Sequence, residues 1–194
     1  YPNPRALDAK TGKLLWEFHT IPQESDFGSH TWGNESWRDR IGNNVWAVTL
    51  TVDEARGLVY MPVSGPGANF YGGDRPGDNL FGNSTVAIDI QTGELEWHFQ
   101  NIHHELWDYN LPPAPGLFTI EKDGQQIPAL AQVGKSGFMF ILNRETGEPV
   151  QPRPMTLPAS AHVPNKWWYT VMEAVSAMNW IMVISACTVM RIDY

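Results

Sequence analysis

The residues best equipped for chemistry lie in two short strings, His103-His104-Glu105-Leu106-Trp107-Asp108-Tyr109 and Gly134-Lys135-Ser136-Gly137. A carboxylate between two aromatic side chains is of the right type for a general base, and a cation beside Asp108 would keep it ionised, as a base must be. The same Asp108 could instead cap a turn ahead of Pro112 and Pro113. Lys135, taken by itself, is a solvated side chain in a Gly-flanked turn. Asn69, within Gly65-Pro66-Gly67-Ala68-Asn69-Phe70-Tyr71, is by residue type and loop context a turn former. Neighbours on a strand face opposite ways, so His103 and His104 are not expected to chelate one ion; one should pack or face substrate and the other be structural. His19, His30, His98 and His162 share no ligand-like spacing with them.

These groups need a frame. The chain has 194 residues and 21.8 kDa, room for one domain with a sizeable core or for part of something larger. Charged residues are 18% and aromatics 12%, with 17 Gly and 15 Pro, a turn-rich and aromatic-packed composition that favours β architecture over a helical bundle. The formal charge of -8 supplies no field for a phosphate backbone, which argues against nucleic acid as a partner. The single Cys187 excludes a disulfide within the chain and any cysteine-based zinc or iron-sulfur site. An opening at Tyr1-Pro2-Asn3-Pro4, without initiator Met or leader, is expected of a fragment. The apolar run Ala174 to Met190 is shorter than the ~20 residues that span a bilayer and carries Asn179, so a span is not expected there.

A short repeat organises the rest. Asp8-Ala9-Lys10-Thr11-Gly12, Asp53-Glu54-Ala55-Arg56-Gly57, Asp89-Ile90-Gln91-Thr92-Gly93 and Asn143-Arg144-Glu145-Thr146-Gly147 each follow an apolar stretch, and three precede an alternating one. An Asx side chain bonds the backbone two residues on and Gly accepts positive φ, so four strand-turn-strand hairpins are expected. The four glycines are separated by 45, 36 and 54 residues, near the ~40–50 residues of a four-stranded propeller blade. Three to four blades are the expectation, and hairpins of a sandwich the competing arrangement. Trp16 and Trp97 stand eight residues after Asp8 and Asp89, where each could lie flat on the neighbouring unit.

The strings Ala6 to Trp16 and Ala87 to Trp97, of the form Ala-x-Asp-x-x-Thr-Gly-x-x-x-Trp, resemble the tryptophan-docking motif of the eight-bladed quinoprotein dehydrogenases. The likeness continues through Thr31-Trp32, Asn44-Val45-Trp46, Arg75-Pro76-Gly77-Asp78-Asn79-Leu80, His103 to Asp108 and Lys135 to Gly147, and the segment from His103 to Pro115 is similar to the membrane glucose dehydrogenase branch. The resemblance implies an all-β propeller over residues 1–153, followed by a Pro-rich and then apolar tail over 154–194, divergent, truncated or frame-shifted. It implies pyrroloquinoline quinone and Ca²⁺ as cofactors, an alcohol, sugar or polyol as substrate, and ubiquinone or cytochrome c as electron acceptor in the periplasm. In that scheme Asp108 is the general base and a metal ligand, and Lys135 lies over the quinone oxygens. Asn44 and Trp46 meet the cofactor, Trp46 as the indole floor, although a core tryptophan is the other reading. Seven residues from Trp46 to Asp53, against six in the family, imply a bulge. Asn69 is the second metal ligand and the Glu ligand lies upstream of residue 1. Lanthanide-using relatives carry an extra Asp where this chain has Asn110, which implies calcium. The alternative from another class is a non-catalytic propeller scaffold of the outer-membrane assembly type. Such a scaffold has no use for a Trp-Asp beside a His pair and a Lys in Gly-Lys-Ser-Gly. Residues 1–194 alone are expected to be inactive.

Overall fold

In the computed structural model, residues 3–46, 49–151 and 155–156 are described; Ala47, Val48, the apolar run 174–190 and most of the tail lie outside them. The described strands are β1 Arg5–Leu7, β2 Leu14–Glu17, β3 Thr51–Asp53, β4 Leu58–Pro62, β5 Ser84–Asp89, β6 Leu95–Gln100, β7 Gly116–Lys122, β8 Gln125–Val133, β9 Phe138–Asn143 and β10 Met155–Thr156. Helical structure among these residues is confined to the 3-10 turns Ser29–Thr31 and Gly33–Glu35.

The repeats turn the chain as their chemistry dictates. Asp8 Oδ1 accepts the N–H groups of Lys10 and Thr11 at 3.1 and 2.7 Å, and Asp89 Oδ1 those of Gln91 and Thr92, both at 2.8 Å. Asn143 Oδ1 takes the Glu145 N–H at 2.9 Å, and Gly12, Gly93 and Gly147 supply φ of 71, 76 and 75°. Asp53 departs from this pattern because Arg56 replaces the threonine: its carboxylate instead pairs with the guanidinium groups of Arg56 and Arg144, both at 3.2 Å. All four expected hairpins form: β1–β2, β3–β4, β5–β6 and, around the Asn143 turn, β9–β10. After Asn143 the chain folds back on β9, with Asn143 N donating to Glu148 O at 2.8 Å and Val150 N to Ile141 O at 2.9 Å around the bridge between Leu142 and Pro149. β10 then returns to β9.

Sequential antiparallel pairing gives two four-stranded sheets, β3-β4-β5-β6 and β10-β9-β8-β7, and the pair β1-β2. These are the units of a β-propeller. The first four-stranded sheet is apolar on both faces. Val59 and Met61 of β4 join Val86 and Ile88 of β5 against Phe18 and Phe81 on one side. Leu58 and Tyr60, with the opposite parity, meet Ala87, Trp97, Leu130 and Leu142 on the other.

Tryptophan seals the junctions as its spacing suggests. Trp16 Nε1 donates to Ile90 O at 3.0 Å and Trp97 Nε1 to Arg144 O at 3.1 Å, so each indole lies on the turn of the following unit. Each also covers a glycine: a Cβ on Gly93 would come within 2.6 Å of the Trp16 ring, and one on Gly147 within 2.6 Å of Trp97. Gly124 has the same φ of 75° as Gly147 with nothing within 4 Å of its Cβ direction. Gly124→Ala should therefore cost only left-handed strain, ~1–2 kcal/mol, whereas Gly147→Ala should add ~1–3 kcal/mol of overpacking. Urea unfolding of the two variants measures the difference; equal losses would show that Trp97 is not seated on Gly147.

Candidate functional site

Three connections meet at one end of the sheets: the stretch between β2 and β3, that between β4 and β5, and that between β6 and β7. The first two run side by side. Gly42 bridges Pro66 and Val45 bridges Val63, Asn43 N donates to Gly65 O at 3.1 Å and Gly67 N to Ile41 O at 3.0 Å. Glycine is required for this approach, because a Cβ on Gly42 would collide with the Gly67 nitrogen. A cleft of about 550 Å³ opens there, lined by Ile41, Val45 and Trp46 on its apolar side and by Asn44, Ser64, Asn69, Asp108 and Asn110 on its polar side.

Asp108 is the centre of the polar side. Its backbone is left-handed, at φ 57°, and its carboxylate takes three donors. Lys135 Nζ reaches Oδ2 at 2.7 Å, while Asn110 Nδ2 and Asn69 Nδ2 reach Oδ1 at 2.6 and 3.0 Å. Both ends of the ion pair are about a quarter exposed, so it is strengthened by partial burial without bearing the full desolvation cost of an interior pair. Lys135 is set by its own N–H, which donates to Asn110 O at 3.0 Å. Gly134 permits this contact, since its Cβ would fall 2.6 Å from Leu111 Cδ2.

Asp108, Lys135 and Asn69 are therefore brought together as their sequence contexts suggest. Trp46 is 40% exposed on the cleft, a surface position and not the core one that its residue type also allows. Asn44 lines the cleft too, its carbonyl accepting from Ser64 N at 2.9 Å. Thr49 N donates to Trp46 O at 3.3 Å; the bulge expected between Trp46 and Asp53 falls partly on Ala47 and Val48, outside the described residues. The histidine reading is corrected. His103 and His104 lie in a turn and not on a strand, because the ladder of β6 ends at Gln100 and His104 adopts φ 44°. His104 Nδ1 meets Gly77 O at 2.7 Å. Among the described residues no group of three or more His, Cys, Asp or Glu could hold a metal.

Beneath the cleft lie charged groups that the sequence reading passed over. Glu105 is 3% exposed; its Oε1 accepts the N–H groups of Trp107 and, at 2.9 Å, Tyr109. Arg75 is wholly buried, its Nη1 donating to Asn79 Oδ1 at 2.7 Å and its Nη2 to the Glu105 carbonyl. Burial pulls the Arg75 guanidinium below its ordinary value, and the Glu105 charge opposes that shift. Asn110 Oδ1 accepts Gly65 N–H at 2.9 Å, so this residue ties two connections together. The only hint in the sequence was the presence of Glu105 and Arg75 in the motif strings, without any sign that they are buried.

Comparison with known proteins places this arrangement. Residues 2–171 match the β-propeller domain of the family described as glucose/ethanol/alcohol dehydrogenase, PQQ type. The chain is 34% identical over 179 residues to a "Glycerol dehydrogenase large subunit" of Gluconobacter oxydans, covering 88% of this chain and 24% of that one. It is 36% identical over 157 residues to "Quinoprotein glucose dehydrogenase A" of Acinetobacter calcoaceticus, covering 76% and 18%. Among solved structures, the quinohemoprotein alcohol dehydrogenase ADHIIG of Pseudomonas putida HK5 aligns with a TM-score of 0.68 at 28% identity, over 78% of this chain and 24% of that one. The chain thus spans about a quarter or less of the length of these relatives.

The tie made by Asn110 is open to test. Asn110→Ala leaves the Gly65 N–H without its acceptor and should cost ~1–3 kcal/mol in unfolding of the cofactor-free protein. Asn110→Asp keeps that acceptor but sets a second carboxylate against Asp108, a penalty present at neutral pH. Protonation relieves like-charge repulsion, so that penalty should shrink as pH falls through the carboxylate range near ~4. An Asn110→Asp variant as stable as the parent at pH 7 would rule the contact out.

Proposed function

The chain belongs to the PQQ glucose/ethanol/alcohol dehydrogenase β-propeller family, and on that premise we propose that the complete protein oxidises a CH–OH group of an alcohol, sugar or polyol, with Asp108 as the general base. The observation that supports this reading is the Asp108 carboxylate, gripped by Lys135, Asn69 and Asn110 in a cleft that Trp46 also lines. A non-catalytic scaffold has no use for a carboxylate braced in this way.

The residues present fit the implied groups. Trp46, Val45 and Ile41 give the cleft apolar surface for a planar ring system, and Asn69 and Asp108, which also line it, carry oxygens of the type a hard dication prefers. When bound, pyrroloquinoline quinone would accept the hydride and Ca²⁺ would supply Lewis acidity. Asp108 then takes the hydroxyl proton of the substrate on its carboxylate. Lys135 orients that carboxylate through a 2.7 Å contact, and its ammonium remains beside the negative charge that builds up during transfer. Asn44 and Trp46 position the cofactor, and Asn44, Ser64 and Asn69 give the cleft the polar lining that a substrate with several hydroxyls would use. The names of the glycerol and glucose dehydrogenase relatives point the same way. Asn110 is a neutral amide beside Asp108, supplying one negative charge fewer than an aspartate would, which suits calcium better than a trivalent lanthanide. Ubiquinone or cytochrome c is the proposed electron acceptor and the periplasm the proposed location.

Asp108→Asn in the complete protein should lower dye-linked turnover by ~10²–10⁴-fold while the cofactor stays bound, as read from its absorbance. Retained turnover would overturn the base assignment. Chelation should abolish turnover, and added Ca²⁺ should restore it where a lanthanide does not; restoration by a lanthanide alone would overturn the calcium assignment.

A further inference from the structure

Asp108 holds a left-handed backbone conformation, at φ 57°, which aspartate tolerates better than most residues and which its surroundings help to hold. The residues on either side of it, Trp107 and Tyr109, both donate their N–H groups to one oxygen, Oε1 of Glu105. That acceptor is firmly seated. Glu105 is 3% exposed, and its carbonyl is held by the buried Arg75 guanidinium. Its other oxygen, Oε2, has no partner and occupies the space beside Gly65, where a Cβ would come within 2.5 Å. Gly65 in turn donates to Asn110 Oδ1, and Asn110 donates to Asp108. Glu105 does not itself line the cleft.

We propose that Glu105, seated against Gly65, is the positioning residue for Asp108. Its carboxylate clamps the two amides that flank the base and so fixes the direction in which the base presents its oxygens. Gly65 is the seat because any side chain there would meet Glu105 Oε2 and push the clamp away from both amides. This inference rests on the assignment of Asp108 as the base.

The test uses the complete, cofactor-loaded protein. Glu105→Ala should lower kcat by about 10²-fold, the cost of roughly an ångström of misplacement, with KM and cofactor affinity little changed. Glu105→Gln keeps an oxygen for the two amides and should retain most of kcat. Gly65→Ala should also lower kcat, yet Glu105→Ala combined with Gly65→Ala should be no worse than Glu105→Ala alone, since nothing then remains to be displaced. A second readout needs no turnover. In cofactor-free protein, Glu105→Ala should speed amide exchange at Trp107 and Tyr109 by about five- to ten-fold, one hydrogen bond's worth, and Glu105→Gln should not. Should Glu105→Ala fail to fold, Glu105→Gln and Gly65→Ala carry the same exchange measurement. Unchanged exchange in Gly65→Ala, or additive losses in the double variant, would overturn the proposal. If Asp108→Asn stays active, the base assignment has failed; if Asp108→Asn is dead and Glu105→Ala is normal, only the clamp has.

Discussion

A carboxylate with three donors on it is only as well placed as the segments that carry the donors. Lys135 follows β8, Asn69 comes from the β4–β5 connection, and Asn110 from the same connection as Asp108 itself. Three stretches of chain must therefore arrive within hydrogen-bonding reach of one side chain, a tolerance of a few tenths of an ångström. Loops alone would not hold this. The sheets behind them do, because the β3–β6 sheet is packed on both faces and Trp97 fixes it against the turn that follows β9.

The polar end of the molecule is costly to hold. Glu105 Oε2, Arg75 Nε, Asn43 Oδ1 and both side-chain polar atoms of Asn83 are buried without a partner among the described residues. Each such atom in a dry setting costs ~1–3 kcal/mol. Apolar burial offsets this elsewhere, in the continuous core of Val59, Met61, Val63, Phe81, Val86 and Ile88. Stability is thus gathered in the sheets, while these unmet polar groups lie in the connections between them.

Local chemistry was legible in the sequence. An Asx residue three positions before a threonine and four before a glycine closes a turn by itself, so Asp8, Asp89 and Asn143 behave as read. The offset of Trp16 and Trp97 likewise announced an indole lying on its neighbour. What could not be read depends on burial. Glu105 sits in a polar string whose periodicity gives no sign that its side chain points inward, and the interior place of Arg75 is decided by connections far apart in sequence. The histidine pair misled for the same reason: strand alternation was carried past Gln100, where the ladder had already ended.

The indole contacts have a direction. Trp16 seats on the turn holding Gly93 and Trp97 on the turn holding Gly147, in both cases an earlier unit reaching forward to a later one. Plug and socket are different surfaces, so the contact is heterologous, and heterologous contacts repeated at a fixed rotation either close into a ring or run on as a filament. Covalent linkage decides which plug meets which socket. Between separate copies of the chain nothing in the contact itself makes that distinction, so any condition that frees an indole from its glycine also creates an adhesive end that fits another molecule as well as its own.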